Sequence, residues 1–384
     1  MSRRRRLLLA ALASGLSSSP WVLAQSNSTG PSPLETRRDY ARVVPRTLTF
    51  PADYGAHPDF RTEWWYLTVW MRHPSDRGTT FGPNAFGLQL TFFRRRTGIG
   101  EANPSRFAPR QLLLAHAAVS LPSSGLHRHD ERAGRAGVAG VHYSEVTTDL
   151  SLNGWTFRRL ATGQYLAELT LGELTRLRLT LEPTRPPTLR GTDGFSQKGP
   201  HRDYASYYYS HTHMRVQLEA QTQDQTLALP RVSEGLGWFD HEWSSSILPP
   251  GAVGWDWIGI HLLDGGSLMA FQLRSKMGEP VWTEFDERDR DGRRKASGKG
   301  APVRWEPVGQ WRSPNSLAVY PGAWILHTAE RRLEIRPLMP NQEFDGRFST
   351  GIVYWEGAVE LYDGPRLIGR GYLEMTGYAQ AMQL

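Results

Sequence analysis

Between Gly235 and Arg274 the chain reads GLGWFDHEWSSSILPPGAVGWDWIGIHLLDGGSLMAFQLR. Two runs of alternating bulky residues flank a Pro-Pro-Gly turn. A third run begins at Ser267, after Asp264-Gly265-Gly266. This pattern predicts three successive antiparallel strands with short connections. Side chains of an extended strand alternate between faces, so Trp238, Asp240 and Glu242 share one face and Phe239, His241 and Trp243 the other. A barrel interior at this strand sees either two carboxylates or a histidine beside a tryptophan. No other segment packs so many ionisable and aromatic groups into so few residues, so a chemical centre is expected here.

The same rhythm runs through the rest of the chain. Strands are predicted through Met71, over Phe86–Phe93, over Leu112–Leu121 with His116, and at Trp155–Phe157, Tyr165–Leu171 and Leu174–Leu181. Thr184–Pro200 is rich in proline and glycine and reads as a long loop before the strand that follows Tyr204. Gly351–Leu361 and Gly371–Gly377 close the chain as strands. Asp289-Arg290-Asp291-Gly292 reads as a hairpin turn, and Ala329–Leu333 as a short helix. Repeated short strands without a sustained helical period describe an all-β chain, a barrel or sandwich in two halves joined near Arg231–Gly235.

Composition sets the address and excludes some partners. Of the formal charge of +7, four units are Arg3–Arg6, so 7 − 4 leaves about +3 for the remainder, too mild for a nucleic-acid binder. Those arginines precede an apolar run from Leu7 to Leu16 and then Val22-Leu23-Ala24. That order predicts a cleaved export signal over 1–24, of the Sec or twin-arginine type, too short to span a bilayer. A Ser/Pro/Thr-rich linker is predicted over 25–48. The chain has no cysteine, which removes disulfides, a lipidated cysteine anchor and thiolate metal sites. A periplasmic or secreted protein without an integral membrane span is expected.

Several stretches together resemble one family, the bacterial proteins similar to carotenoid 1,2-hydratase and to AttH. They are HPDFRTEWWYLTVWM, FGLQLTFF, AHAAVS, ASYYYSHTHM, GLGWFDHEWSSSILPP, GWDWIGIHLLDGGSLMAFQLR, YWEGAVEL and GRGYLEMTGY. The resemblance runs from about residue 50 to the end and is closer to the AttH-like branch. It implies two tandem lipocalin-like antiparallel β-barrels, drawn here as 49–234 and 235–384. It also implies a hydrophobic small-molecule ligand, lipid- or isoprenoid-like. The hydratase branch adds water to a terminal double bond using a proton donor, aromatic faces and a water. Its His-x-Trp matches His241-Glu242-Trp243. Its Tyr-x-Asp has no counterpart in Ser267–Gln272, and Asp256, between Trp255 and Trp257, stands as the substitute.

The expected acid/base set is therefore His241, Asp240, Trp243 and Asp256. Asp240, His241 and Glu242 read either as a carboxylate–imidazole set or as hydrogen-bonded residues of a strand crossing between domains. Glu63, Trp65, Tyr207, Tyr209, Glu242 and Trp257 are the expected ligand contacts. Glu63 and Trp65 equally read as a structural barrel strand, and the tyrosines as packing residues. His211-Thr212-His213 has a zinc-like spacing without a third ligand, and Ser244–Ser246 lacks the elbow of a serine nucleophile. No metal or cofactor is expected. The alternatives to a hydro-lyase or hydrolase are a non-catalytic carrier and an assembly factor beside an ABC-type exporter.

Overall fold

The computed structural model describes residues 40–76, 81–296 and 303–382. The predicted export signal and most of the predicted linker lie outside the described residues. Thirteen strands form the first sheet: β1 Thr62–Arg72, β2 Phe86–Arg96, β3 Gln111–Leu121, β4 Leu126–Arg135, β5 Val141–Tyr143, β6 Asp149–Leu152, β7 Trp155–Arg159, β8 Tyr165–Leu171, β9 Thr175–Pro183, β10 Thr188–Leu189, β11 Phe195–Gln197, β12 Ala205–Thr222 and β13 Val232–Ser246. Ten form the second: β14 Ala252–Leu262, β15 Ser267–Ser275, β16 Pro280–Arg288, β17 Arg294–Ala296, β18 Arg304–Arg312, β19 Val319–His327, β20 Arg332–Pro337, β21 Glu343–Gly346, β22 Ile352–Asp363 and β23 Arg366–Met375. Every named pairing is antiparallel. The protein is thus all-β and built of two lipocalin-like sheets.

The first sheet runs β4-β3-β2-β1-β13-β12-β9-β8-β7-β6-β5. Its ends return against each other where β3 and β4 meet β6, so it nearly closes into a barrel. The interior is filled by Trp65, Leu67, Phe92, Leu113, Trp155, Tyr165, Phe239 and Trp243. The second sheet runs β17-β16-β15-β14-β23-β22-β20-β19-β18 around Ile258, Leu268, Tyr320, Trp324, Trp355 and Leu361. A further apolar cluster draws Trp70, Tyr208 and Trp238 from the first sheet and Trp257, Phe271, Ala358 and Tyr372 from the second. The two sheets therefore pack on each other through the outer faces of β1, β12 and β13. Gly87 permits that approach, because a Cβ there would lie 2.3 Å from the Tyr372 hydroxyl.

Three expectations change. The strand bearing His241 does not open the second sheet. It is the central strand of the first, hydrogen-bonded between β12 and β1, so the sheets divide in the segment after Ser246. Residues 40–48 are not a free linker: Val44 N–H and C=O bond the Tyr207 hydroxyl, Ser245 donates to the Ala41 carbonyl, and Leu48 is buried in the barrel core. The stretch from Ala329 is a bend leading into β20 rather than a helix, because Leu333 and Ile335 alternate into the core. The turn at Asp289–Gly292 joins β16 to β17, with Gly292 at φ 80°. The long loop after Thr184 holds the two short strands β10 and β11 against β12.

Candidate functional site

The period of two on β13 sorts its side chains cleanly. Both faces are buried, but against different neighbours: Phe239, His241 and Trp243 fill the barrel, and Trp238, Asp240 and Glu242 face the second sheet. On β1 the partners of Glu242 and Asp240 are Trp64 and Tyr66. On β12 the partner of Glu242 is Tyr208. These outer faces and the facing strands β14, β15, β22 and β23 line a cavity of about 90 Å³ that opens to solvent. Trp64, Tyr66, Phe93, Tyr208, Trp255, Trp257 and Phe271 form aromatic walls, and four carboxyls reach in: Asp240, Glu242, Glu356 and Glu374.

Each acid is held differently. The Tyr208 hydroxyl donates to Asp240 at 2.7 Å and the Trp238 indole N–H at 2.8 Å. Burial nonetheless pushes Asp240 up to about 6, against the pull of the Arg190 charge. Glu242 accepts from Ser206 and pairs with the Lys198 ammonium at 3.0 Å. Glu356 and Glu374 are direct cross-strand partners on β22 and β23. Two carboxylates so placed in a weakly solvated cavity cannot both ionise cheaply, so the pair keeps a proton near neutrality. Burial, then the neighbouring Glu374 charge, pushes Glu356 far up; burial raises Glu374 to about 7, although the Trp255 indole donates to it at 2.9 Å. Beside them the Tyr66 hydroxyl and the Gln89 amide are buried within interaction range of the Glu356 carboxyl, and Thr91 lines the same floor.

The barrel face is different. Glu63 Oε1 lies 2.8 Å from both His57 Nδ1 and His241 Nε2, and its Oε2 accepts from Arg94 Nε at 2.8 Å. His241 Nδ1 meets the Tyr209 hydroxyl at 3.1 Å, and His57 Nε2 meets Asp53 at 3.2 Å. His57 stacks on Trp243 with centroids 3.7 Å apart, and His241 on Trp65 at 4.8 Å. Burial lowers His241, whereas His57 is raised because the Glu63 and Asp53 charges outweigh its burial. His57, Glu63 and His241 are close enough together to hold a cation. Yet the same Glu63 carboxylate already bears the Arg94 guanidinium, and both imidazoles already face its Oε1. The set fits a closed hydrogen-bond network.

Of the expected site residues, Asp240, Glu242 and Trp257 line the cavity. His241, Trp243, Glu63, Trp65, Tyr207 and Tyr209 do not; they belong to the barrel interior, one residue out of phase with the cavity face. Asp256 lies inside the second sheet, bonded to Arg274 at 2.7 Å, Gln272 at 2.8 Å and Tyr378 at 3.0 Å. His211 and His213 do not converge, because a register shift after His211 sends His211 toward Tyr165 and His213 toward Arg185 and His261. Ser244 and Ser245 donate to backbone carbonyls. The acids that sequence reasoning missed are Glu356 and Glu374. Each is a glutamate set among apolar and aromatic residues of a strand, and that was the available signal.

The AttH-like family model matches residues 42–378. The fold is similar to the crystal structure of a candidate AttH from Nitrosomonas europaea, at 42% identity and TM-score 0.79, covering 88% of this chain and 99% of that one. It is also similar to kievitone hydratase from Nectria haematococca, at 11% identity and TM-score 0.62, covering 89% and 98%. No curated protein matches the chain by sequence.

Proposed function

The chain belongs to the AttH-like family, and from that premise we propose that it binds a hydrophobic, isoprenoid- or lipid-like small molecule between its sheets and adds or removes water there by acid/base catalysis. One observation carries the reading. Glu356 and Glu374, opposed across β22 and β23, face an aromatic-walled cavity with a proton between them near pH 7. A carboxylic acid that is neutral at working pH can protonate a double bond, and the faces of Trp255, Trp257 and Tyr66 can stabilise the cation that forms. Water then bonds to the cationic carbon and returns its proton to the vacated carboxylate, so the net change is addition of one H₂O. Dehydration is the reverse. Asp240, raised toward neutrality on the opposite wall, is the second acid/base group. The similar fold of a protein named as a hydratase is consistent with this chemistry. The Arg-rich, apolar N-terminal run supports a periplasmic or secreted location.

The test has two parts. Small molecules carried through native purification are identified by mass spectrometry. The recovered class is then incubated with protein in ¹⁸O-labelled water. Incorporation of ¹⁸O that is lost in Glu374→Gln and Asp240→Asn supports the reading. Recovery of an unaltered ligand without exchange favours a carrier, and a co-purifying protein without any small molecule favours an assembly role.

A further inference from the structure

A file of hydrogen-bonding side chains leads from the surface toward Glu356, crossing from the first sheet to the second. It begins at Glu131 on β4, whose side chain is 16% exposed. The Ser349 hydroxyl, in the turn between β21 and β22, donates to Glu131 Oε2, and the Ser349 backbone N–H joins it at 3.0 Å. Ser349 Oγ also lies 2.8 Å from Nε2 of His116 on β3. The other nitrogen of that imidazole, Nδ1, lies 2.8 Å from the Tyr354 hydroxyl on β22. Tyr354 and Glu356 are two residues apart on one strand, so their side chains share a face, and the phenol is within interaction range of the carboxyl. The Glu356 carboxyl thus stands at the inner end of the file, with Tyr66 and Gln89 as its other polar neighbours.

From this arrangement we infer that Glu131, Ser349, His116 and Tyr354 form a proton relay between solvent and Glu356. The inference rests on the reading of Glu356 as the cavity acid. Ser349, His116 and Tyr354 each have both a donor and an acceptor, which a relay requires, and Glu131 is the acceptor that meets solvent. His116 is fully buried and stacked on Phe344, with Phe93 at its edge. Burial and the neighbouring His129 push it down to about 3, so the resting imidazole is neutral, with one nitrogen to take a proton and one to give. When Glu356 has given its proton to a substrate, Tyr354 O–H passes one to the carboxylate. His116 Nδ1–H passes one to the phenolate oxygen, and the Ser349 hydroxyl, turned from Glu131 to the imidazole, passes one to Nε2. Glu131 takes a proton from solvent and delivers it to the serine oxygen, returning to the carboxylate. Each hop breaks one O–H or N–H bond as it makes another, and the intermediates end uncharged. A purely structural knot between the sheets needs the contacts but not this continuity.

The relay is tested without a substrate. Infrared difference spectra against Glu356→Gln assign the C=O stretch of the protonated Glu356 carboxyl. The rate at which that band shifts on rapid transfer to D₂O is then followed with sub-denaturing urea, to separate relay from unfolding. In Ser349→Ala, His116→Gln and Tyr354→Phe the exchange is expected to slow by on the order of 10²-fold, while the control His327→Gln behaves as wild type. Ser349 lies in a partly exposed turn, so its variant remains informative if either buried substitution fails to fold. Unchanged exchange in natively melting Ser349→Ala overturns the relay and leaves the cavity acid intact. Absence of a protonated Glu356 band at neutral pH overturns both.

Discussion

Glu356 and Glu374 stand directly opposite each other on β22 and β23, Glu356 fully buried and Glu374 half-buried in the cavity wall. Their opposition makes stability depend on pH in a definite direction. An unfolded glutamate releases its proton near its ordinary 4.5, whereas Glu374 holds it to about 7 in the fold. A raised carboxyl contributes stability that is complete below 4.5 and is lost as pH rises through 7. Allowing for partial exposure, the loss is on the order of 2 kcal/mol. Glu374→Gln keeps an oxygen for the Trp255 indole and removes the titration. Urea denaturation between pH 5 and 8 should show a falling midpoint for wild type and a flatter profile for the variant.

His241 is a structural residue by the same kind of geometry. Removing its imidazole leaves Glu63, wholly buried, with one fewer donor and opens space beside Trp65 and Trp243. His241→Ala is expected to destabilise the fold by about 3 kcal/mol. His241→Gln, which can still donate to Glu63, should cost about half as much. Neither should alter the cavity, whose walls lie on the other face of β13. Urea unfolding measures the first effect and ligand titration the second. Full stability of His241→Ala contradicts the network role.

The long strands were legible in the chain because their bulky residues run over seven or more positions, whereas short ones such as β5, β10 and β11 were not, and the sorting of β13 into an acidic face and a histidine face followed directly from period two. Which face would meet the cavity was not legible. That depends on β13 being hydrogen-bonded to β1, about 180 residues away, and covered by a second sheet, and strand alternation carries no information about partners. The histidine face drew the site assignment because a His beside a Trp looks chemical. In the fold both ring nitrogens of His241 are already taken, by Glu63 and Tyr209. Glu356 and Glu374 become a pair only through the register of β22 on β23, so neither stands out singly.

Lys198 is the cationic counterweight of the cavity. It pairs with Glu242 at 3.0 Å and lies over the Phe271 ring at 4.3 Å. Replacing it with methionine keeps the stem and deletes the charge. Glu242 is then an uncompensated anion near Glu374, whose proton its charge already helps to hold. The sign is upward: the carboxyl titrations in Lys198→Met should shift to higher pH. Infrared titration of the protonated carboxyl bands reads this. A downward shift or none would remove Lys198 from the cavity electrostatics.

The cavity should take apolar ligands better in mild acid. Filling it with a hydrophobic molecule strips water from its carboxyls, which is far costlier when they are ionised. Asp240 loses its charge below about 6 and Glu374 below about 7, so lowering pH from 8 to 5 neutralises both. If each neutralisation recovers about 1.4 kcal/mol, affinity rises about tenfold per group. All-trans-retinol, a fluorescent isoprenoid probe, makes the change measurable by direct titration. Asp240→Asn removes one of the two charges permanently, and its amide can still meet both Tyr208 and Trp238. That variant should bind retinol more tightly than wild type at pH 8 and gain less on acidification. Identical pH profiles for the two proteins would mean that the ligand does not reach the Asp240 wall.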